Sequence, residues 1–174
     1  MALHRQRAQS PGRGNDEEMD EQLEPTKYYI DTGWYDQQQR SFRVVAEQRF
    51  CASCRDKVGT EVEERVPTID PKTGRVVYET RSVPYGSNPI AVIRSCCGKE
   101  RGYITPDMPV LETIFRLFLL NGNQPTDLQT LRDELGLWFP LTARAHNYSV
   151  ETLRRLIAGD EYYGLREFHP ELVE

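Results

Sequence analysis

The 174-residue chain reads as an α+β protein, a small antiparallel β module followed by a three-helix domain. Three observations carry this reading. Residues 60–84 hold two β-preferring runs joined by the turn sequence Asp70-Pro71-Lys72-Thr73-Gly74. After Pro106, three segments place apolar residues at helical spacing between capping residues and glycines. Four cysteines, at 51/54 and 96/97, bracket the β runs in two tight clusters.

Taken in order, residues 1–25 contain no aromatic residue and pass from Arg-containing to acidic sequence. Such a composition buries too little apolar surface to offset ordering entropy and predicts a disordered tail. Order is expected from Tyr28, Tyr29 and Ile30, with a turn at Gly33. A short helix over 41–50, capped by Ser41, then delivers Cys51 at its end. The hairpin over 60–84 comes next, and Pro89–Ser95, rich in β-branched residues, predicts a third strand ending at Cys96. Closing that hairpin would bring the cysteine clusters together. The module therefore spans 26–106 and the helical domain 107–174.

Within the helical domain the first helix stops at Gly122. The second is expected to start from a Thr126/Gln129 capping box and end at Gly136, and the third to run from Ser149 to Gly159. The segment Asp160–Phe168 predicts a short strand or a helical turn. Three capped helices can be drawn as a winged-helix unit. The drawing is opposed by the 13 residues between the second and third helices and by the acidity of the domain, with 6 basic against 11 acidic residues.

The cysteines decide the chemistry. Zinc takes four thiolate or imidazole ligands in a tetrahedron, commonly from two chelating turns held together by a small sheet. Cys51-Ala52-Ser53-Cys54 is one such turn. The second departs from the pattern: Cys96 and Cys97 are adjacent, and Arg94 stands where a second C-x-x-C would need cysteine. The expected ligands are Cys51, Cys54, Cys96 and Cys97, with His146 or an acidic group as alternatives to Cys96. Buried filler and redox chemistry are the competing explanations of the thiols. A redox pair belongs at the start of a helix, where the amides lower a thiol pKa, whereas this pair follows the helical pattern of 41–50. Over residues 51–97 the chain thus resembles a zinc ribbon, an architecture rather than a family.

No run of about 18 apolar residues and no apolar signal-peptide core occurs, so a cytoplasmic protein without membrane association is expected. The motifs of zinc proteases, deaminases, P-loop nucleotide-binding proteins and α/β-hydrolases are all absent, and no enzyme is expected. Net charge is −5, yet residues 26–106 carry 13 basic against 10 acidic groups. Closure around zinc would gather Arg49, Arg55 and Lys57 beside the first thiol pair and Lys99 and Arg101 beside the second. Such a patch is what nucleic-acid phosphates bind. The expected function is a zinc-stabilised binding protein, regulatory or adaptor in role, acting near nucleic acid or its machinery. The alternative is a protein–protein interaction or assembly subunit in which the zinc is purely structural.

Overall fold

A computed structural model describes residues 25–138 and 148–170. The chain is mixed α+β, with two small antiparallel sheets and seven α-helices among the described residues. The expected tail, apart from Pro25, and His146 lie outside the described residues. No helix among them is long and apolar enough to cross a membrane.

The first sheet has the order β4-β1-β5 and joins the two halves of the chain. Strand β1 (Lys27–Ile30) lies between β4 (Thr126–Asp127) and β5 (Leu165–Glu167), antiparallel to both. Asn123 holds the inner end of β1, accepting from the Ile30 amide at 2.8 Å and donating to the Ile30 carbonyl at 2.9 Å. Asp31 then caps α1 (Thr32–Gln37), accepting from the Gly33 amide, so the expected turn at Gly33 is the first turn of a helix. The boundary expected at 106/107 is crossed by this sheet and by the core. Tyr28, Phe50 and Ile93 share one apolar cluster with Phe118, Leu153 and Leu165.

Helix α5 (Val110–Asn121) is the centre of that cluster, with Ile114, Phe115, Phe118 and Leu119 fully buried. Gly122 ends it in the left-handed region at φ 81°, as its place after the last apolar residue predicts. Helix α7 (Val150–Ala158) is likewise as expected, capped by Ser149. Helix α6 (Leu128–Trp138) differs at both ends. Asp127 caps it through the Thr130 amide and hydroxyl, while Thr126 is occupied in the sheet with Tyr28. At the other end the helix runs through Gly136.

One part-buried ion network stands behind the core. Glu112 on α5 receives Arg49 at 2.6 Å and Arg116 at 2.6 Å, and Arg116 also donates to the Tyr103 carbonyl. Burial pushes the Glu112 carboxyl up, but hydrogen bonds from Arg49 and then Arg116 outweigh it and hold the group below its ordinary range. Arg49, expected on a phosphate-facing surface, is 9% exposed and lies over the Phe115 ring. Its charge is engaged by Glu112, while its side chain still lines the cleft beside the thiols.

The second sheet is the hairpin of β2 (Glu61–Ile69) and β3 (Val76–Pro84), with Ile69 opposite Val76 and Glu61 opposite Pro84. Asp70 organises the turn, its carboxylate accepting from the Lys72 amide and its backbone amide donating to Arg75. The Asp70–Arg75 bond and the Tyr85–Thr60 bond at the other end fix the ladder pattern. Even-numbered β2 positions form hydrogen-bonded pairs and odd-numbered ones do not. Pro67 and Pro84 both fall in the second class, where a backbone nitrogen points away from the partner strand and a missing N–H costs the ladder nothing. The hairpin matches the sequence reading, but the third strand does not exist. Pro89–Ser95 is helix α4, because Asn88 accepts from the Ala91 amide and Pro89 occupies the first turn, a start signal that outweighs the β-branched composition.

Replacing Glu112 by Ala strands two guanidinium groups and is expected to cost about 3 kcal/mol. Glu151→Ala at the exposed Arg154 pair is expected to cost under about 0.5 kcal/mol. Urea midpoints of the two variants check this; equal shifts would refute the role given to Glu112.

Candidate metal centre

The thiol site is assembled by helices, with the hairpin inserted between its halves. Helix α2 (Phe42–Glu47), capped by Ser41, ends before the first cysteine. Cys51 is the N-cap of a separate turn, α3 (Ala52–Arg55), and Cys54 lies within it. The pair therefore opens a helical turn rather than ending the preceding helix, which reverses the placement expected from the sequence. Cys96 follows α4, and Cys97 begins a 3-10 turn, Cys97–Lys99.

The 3-10 turn is pressed onto the core through Gly98. A Cβ there would run into the Leu120 side chain and come within 3.0 Å of the Ile93 carbonyl. Close backbone packing against α5 is thus what this glycine permits. It holds the second cysteine turn at a fixed depth, with Cys97 buried and Cys96 half-buried.

All four sulfurs lie within 4.8 Å of one another, and all four thiols are free. Cys51 and Cys96 are 3.9 Å apart. Zinc–sulfur bonds of about 2.3 Å in a tetrahedron set neighbouring sulfurs about 3.8 Å apart, so the cluster has the dimensions of a four-thiolate site. Among the described residues, no histidine or carboxylate joins it. The adjacency of Cys96 and Cys97, irregular in sequence, is resolved by the break between α4 and the 3-10 turn. At Cys96 the backbone leaves the helix with φ −129° and ψ −74°, and both side chains reach the cluster.

The surroundings supply donors to sulfur. The Cys51 amide donates to Cys97 Sγ at 3.3 Å, and the Tyr85 hydroxyl donates to Cys54 Sγ at 3.1 Å. The Ser53 hydroxyl lies 3.3 Å from Cys51 Sγ. Together, the Ser53 hydroxyl and then the Cys54 amide hold the Cys51 thiol down to about 6. Its neighbours move the other way: Cys96 is pushed up to about 11, first by its contact with Cys54 sulfur and then by Cys51. Cys97 is pushed up to about 12, mainly by burial. The same contact with Cys54 raises the Tyr85 hydroxyl. Four sulfurs this close cannot all carry negative charge unaided, and a metal cation held at their centre would let them ionise together.

The basic residues expected around the thiols divide. Arg55, Lys57, Lys99 and Arg101 are exposed, whereas Arg49 is buried. A cleft of about 300 Å³ runs beside the thiols, lined by Cys51, Cys97, Arg55, Arg101, Arg116 and Tyr103. Arg55 is steadied by donating to the Phe50 carbonyl, and Lys57 sits 5.9 Å from the Tyr85 ring. Sequence reasoning missed Tyr85 as a thiol partner. Its place directly after β3 was the available signal, because hairpin closure sets that position beside Thr60 and the first cysteine turn.

Replacing Tyr85 by Phe removes one donor to sulfur and leaves the hairpin ladder intact. Metal affinity, measured by chelator competition, is expected to fall about tenfold with an unchanged far-UV CD spectrum, and unaltered affinity would refute the role. No family model, curated protein or solved structure matches the chain.

Proposed function

We propose that the protein is a zinc-stabilised binding module, with zinc held by Cys51, Cys54, Cys96 and Cys97 and nucleic acid contacted through the exposed cations beside it. One observation carries the zinc reading: four sulfurs from two distant turns lie within 4.8 Å of one another. Four soft thiolates in a tetrahedron favour zinc over hard cations such as Mg²⁺ or Ca²⁺. A complete set of four protein ligands leaves no open coordination position, which favours a structural role over catalysis. The site keeps the logic of a zinc ribbon, two chelating turns around a hairpin, with α4 in place of the third strand.

The zinc would replace a long apolar core in the segment around the hairpin. Val62, Val66 and Val83 are only half-buried there, so the crosslink would be the main tie between the two cysteine turns at the base of the hairpin. Elemental analysis of the purified protein is expected to find a single zinc ion per chain. Cys51→Ser and Cys97→Ser are each expected to lose it and to lower the melting temperature to that of the chelator-treated protein. Full zinc retention in either variant would sink the assignment.

What supports nucleic-acid contact is the placement of Arg55 and Arg101 on one cleft, with Lys57 and Lys99 exposed nearby. These side chains have the reach of phosphate contacts, and among the described residues no buried carboxylate pairs with them. Binding to single-stranded DNA or RNA is expected to fall steeply with salt. Arg55→Ala and Lys99→Ala should each reduce the salt slope by about one, while Arg75→Ala at the hairpin turn leaves it unchanged. Salt-independent binding, or none at low salt, would leave the protein-assembly reading in its place.

A further inference from the structure

The two edges of the hairpin are built differently. The outer edge of β2 is interrupted at Pro67, whose outward position offers no N–H. On β3 the outward positions are Val76, Tyr78, Thr80, Ser82 and, at the last residue of the strand, Pro84; the first four each have a free amide and carbonyl direction, and none is paired with any described residue. Every β3 residue except Val83 is exposed. An isolated two-stranded hairpin is marginal in water, and a long uninterrupted edge is a template for another strand. The edge of β2 is broken inside the strand, whereas that of β3 runs unbroken until its last residue, Pro84.

We propose that β3 pairs antiparallel with β3 of a second copy of this chain, with Thr80 facing Thr80 across a two-fold axis. Two hairpins then form one four-stranded sheet. The side chains of β3 select this register. With Thr80 on the axis, Glu79 faces Arg81 of the second copy and Arg81 faces its Glu79, so four charges alternate in sign around the axis. On the same face Val77 meets Val83, and on the other Tyr78 meets Ser82. Neighbouring registers are penalised. An axis at Glu79 opposes two glutamates, one at Arg81 opposes two arginines, and one at Tyr78 sets Arg81 against Arg75. In the single chain Glu79 and Arg81 already pair at 2.8 Å, both about half exposed, so the charges lie on the face where the second copy meets them.

The pairing also covers apolar surface. Val76 and Tyr78, on β3 itself, are 62% and 64% exposed, on the face that carries Pro67. In the proposed sheet Val76 lies against Pro84 of the second copy, so each tip is set beside the base of the other hairpin.

Sedimentation equilibrium of the full metal-loaded chain in reducing buffer tests this, and a dimer is expected. Thr80 shares the outward class of Pro67, so Thr80→Pro leaves the hairpin's own ladder whole; it should give a monomer with an unchanged far-UV CD spectrum. Glu79→Arg and Arg81→Glu should each weaken self-association about tenfold, because each sets like charges together twice. An equimolar mixture of these two variants should associate as tightly as the unaltered chain, since both cross-strand pairs become opposite in sign. A concentration-independent monomer would overturn the proposal. So would a dimer indifferent to Thr80→Pro and Glu79→Arg, or a mixture that fails to associate.

Discussion

Four sulfur atoms held within 4.8 Å of one another are the constraint on which the rest of the structure depends. Each is brought there by a different local device: the N-cap position of α3 for Cys51, the first turn of that helix for Cys54, the end of α4 for Cys96 and the 3-10 turn for Cys97. Thiolates at such distances repel, so the arrangement holds only if charge is neutralised at its centre or the protons stay on. The Cys51 amide and the Tyr85 hydroxyl stabilise negative sulfur, while burial of Cys97 opposes it. The cluster is poised between these influences, and a metal cation held there would shift the balance toward four thiolates.

The hairpin follows from that junction rather than causing it. A zinc ribbon uses its strands to aim both chelating turns; in this chain α4 and α5 aim the second turn, through Gly98 packed on Leu120. The hairpin needs only to leave and return at one place, which the Tyr85–Thr60 bond accomplishes. Freed from a core, its strands carry charged and β-branched residues on both faces. The part-buried Glu112 network supplies the rigidity on the other side, binding Arg49 of the segment before Cys51 to α5.

Much of this was legible in sequence where the signals are local. The Asp70–Gly74 turn, the Ser41 and Ser149 caps and the Gly122 stop depend on residues within a few positions of each other, and each is found where the sequence puts it. The convergence of the two cysteine pairs was legible for the same reason, since a hairpin between them brings its two ends together. The errors arise where distant partners decide. Thr126 is an excellent cap residue but is taken by Tyr28 in the sheet, so Asp127 caps α6 instead. Arg49 reads as a surface cation, but its carboxylate partner is 63 residues away. The α4 segment was misread because its β-branched side chains were weighed above the Asn88-Pro89 start.

The central position of β1 has a consequence for how the chain acquires its structure. That strand is hydrogen-bonded on one edge to residues 126–127 and on the other to residues 165–167. Both neighbours leave the ribosome long after it does. The cysteine turns and the hairpin between them can close while synthesis continues, because their contacts span shorter stretches of chain. The β1 segment must wait for residues 126–127 to gain its first partner and for nearly the last described residues to gain its second, which makes completion of its sheet a late and slow event in the folding order.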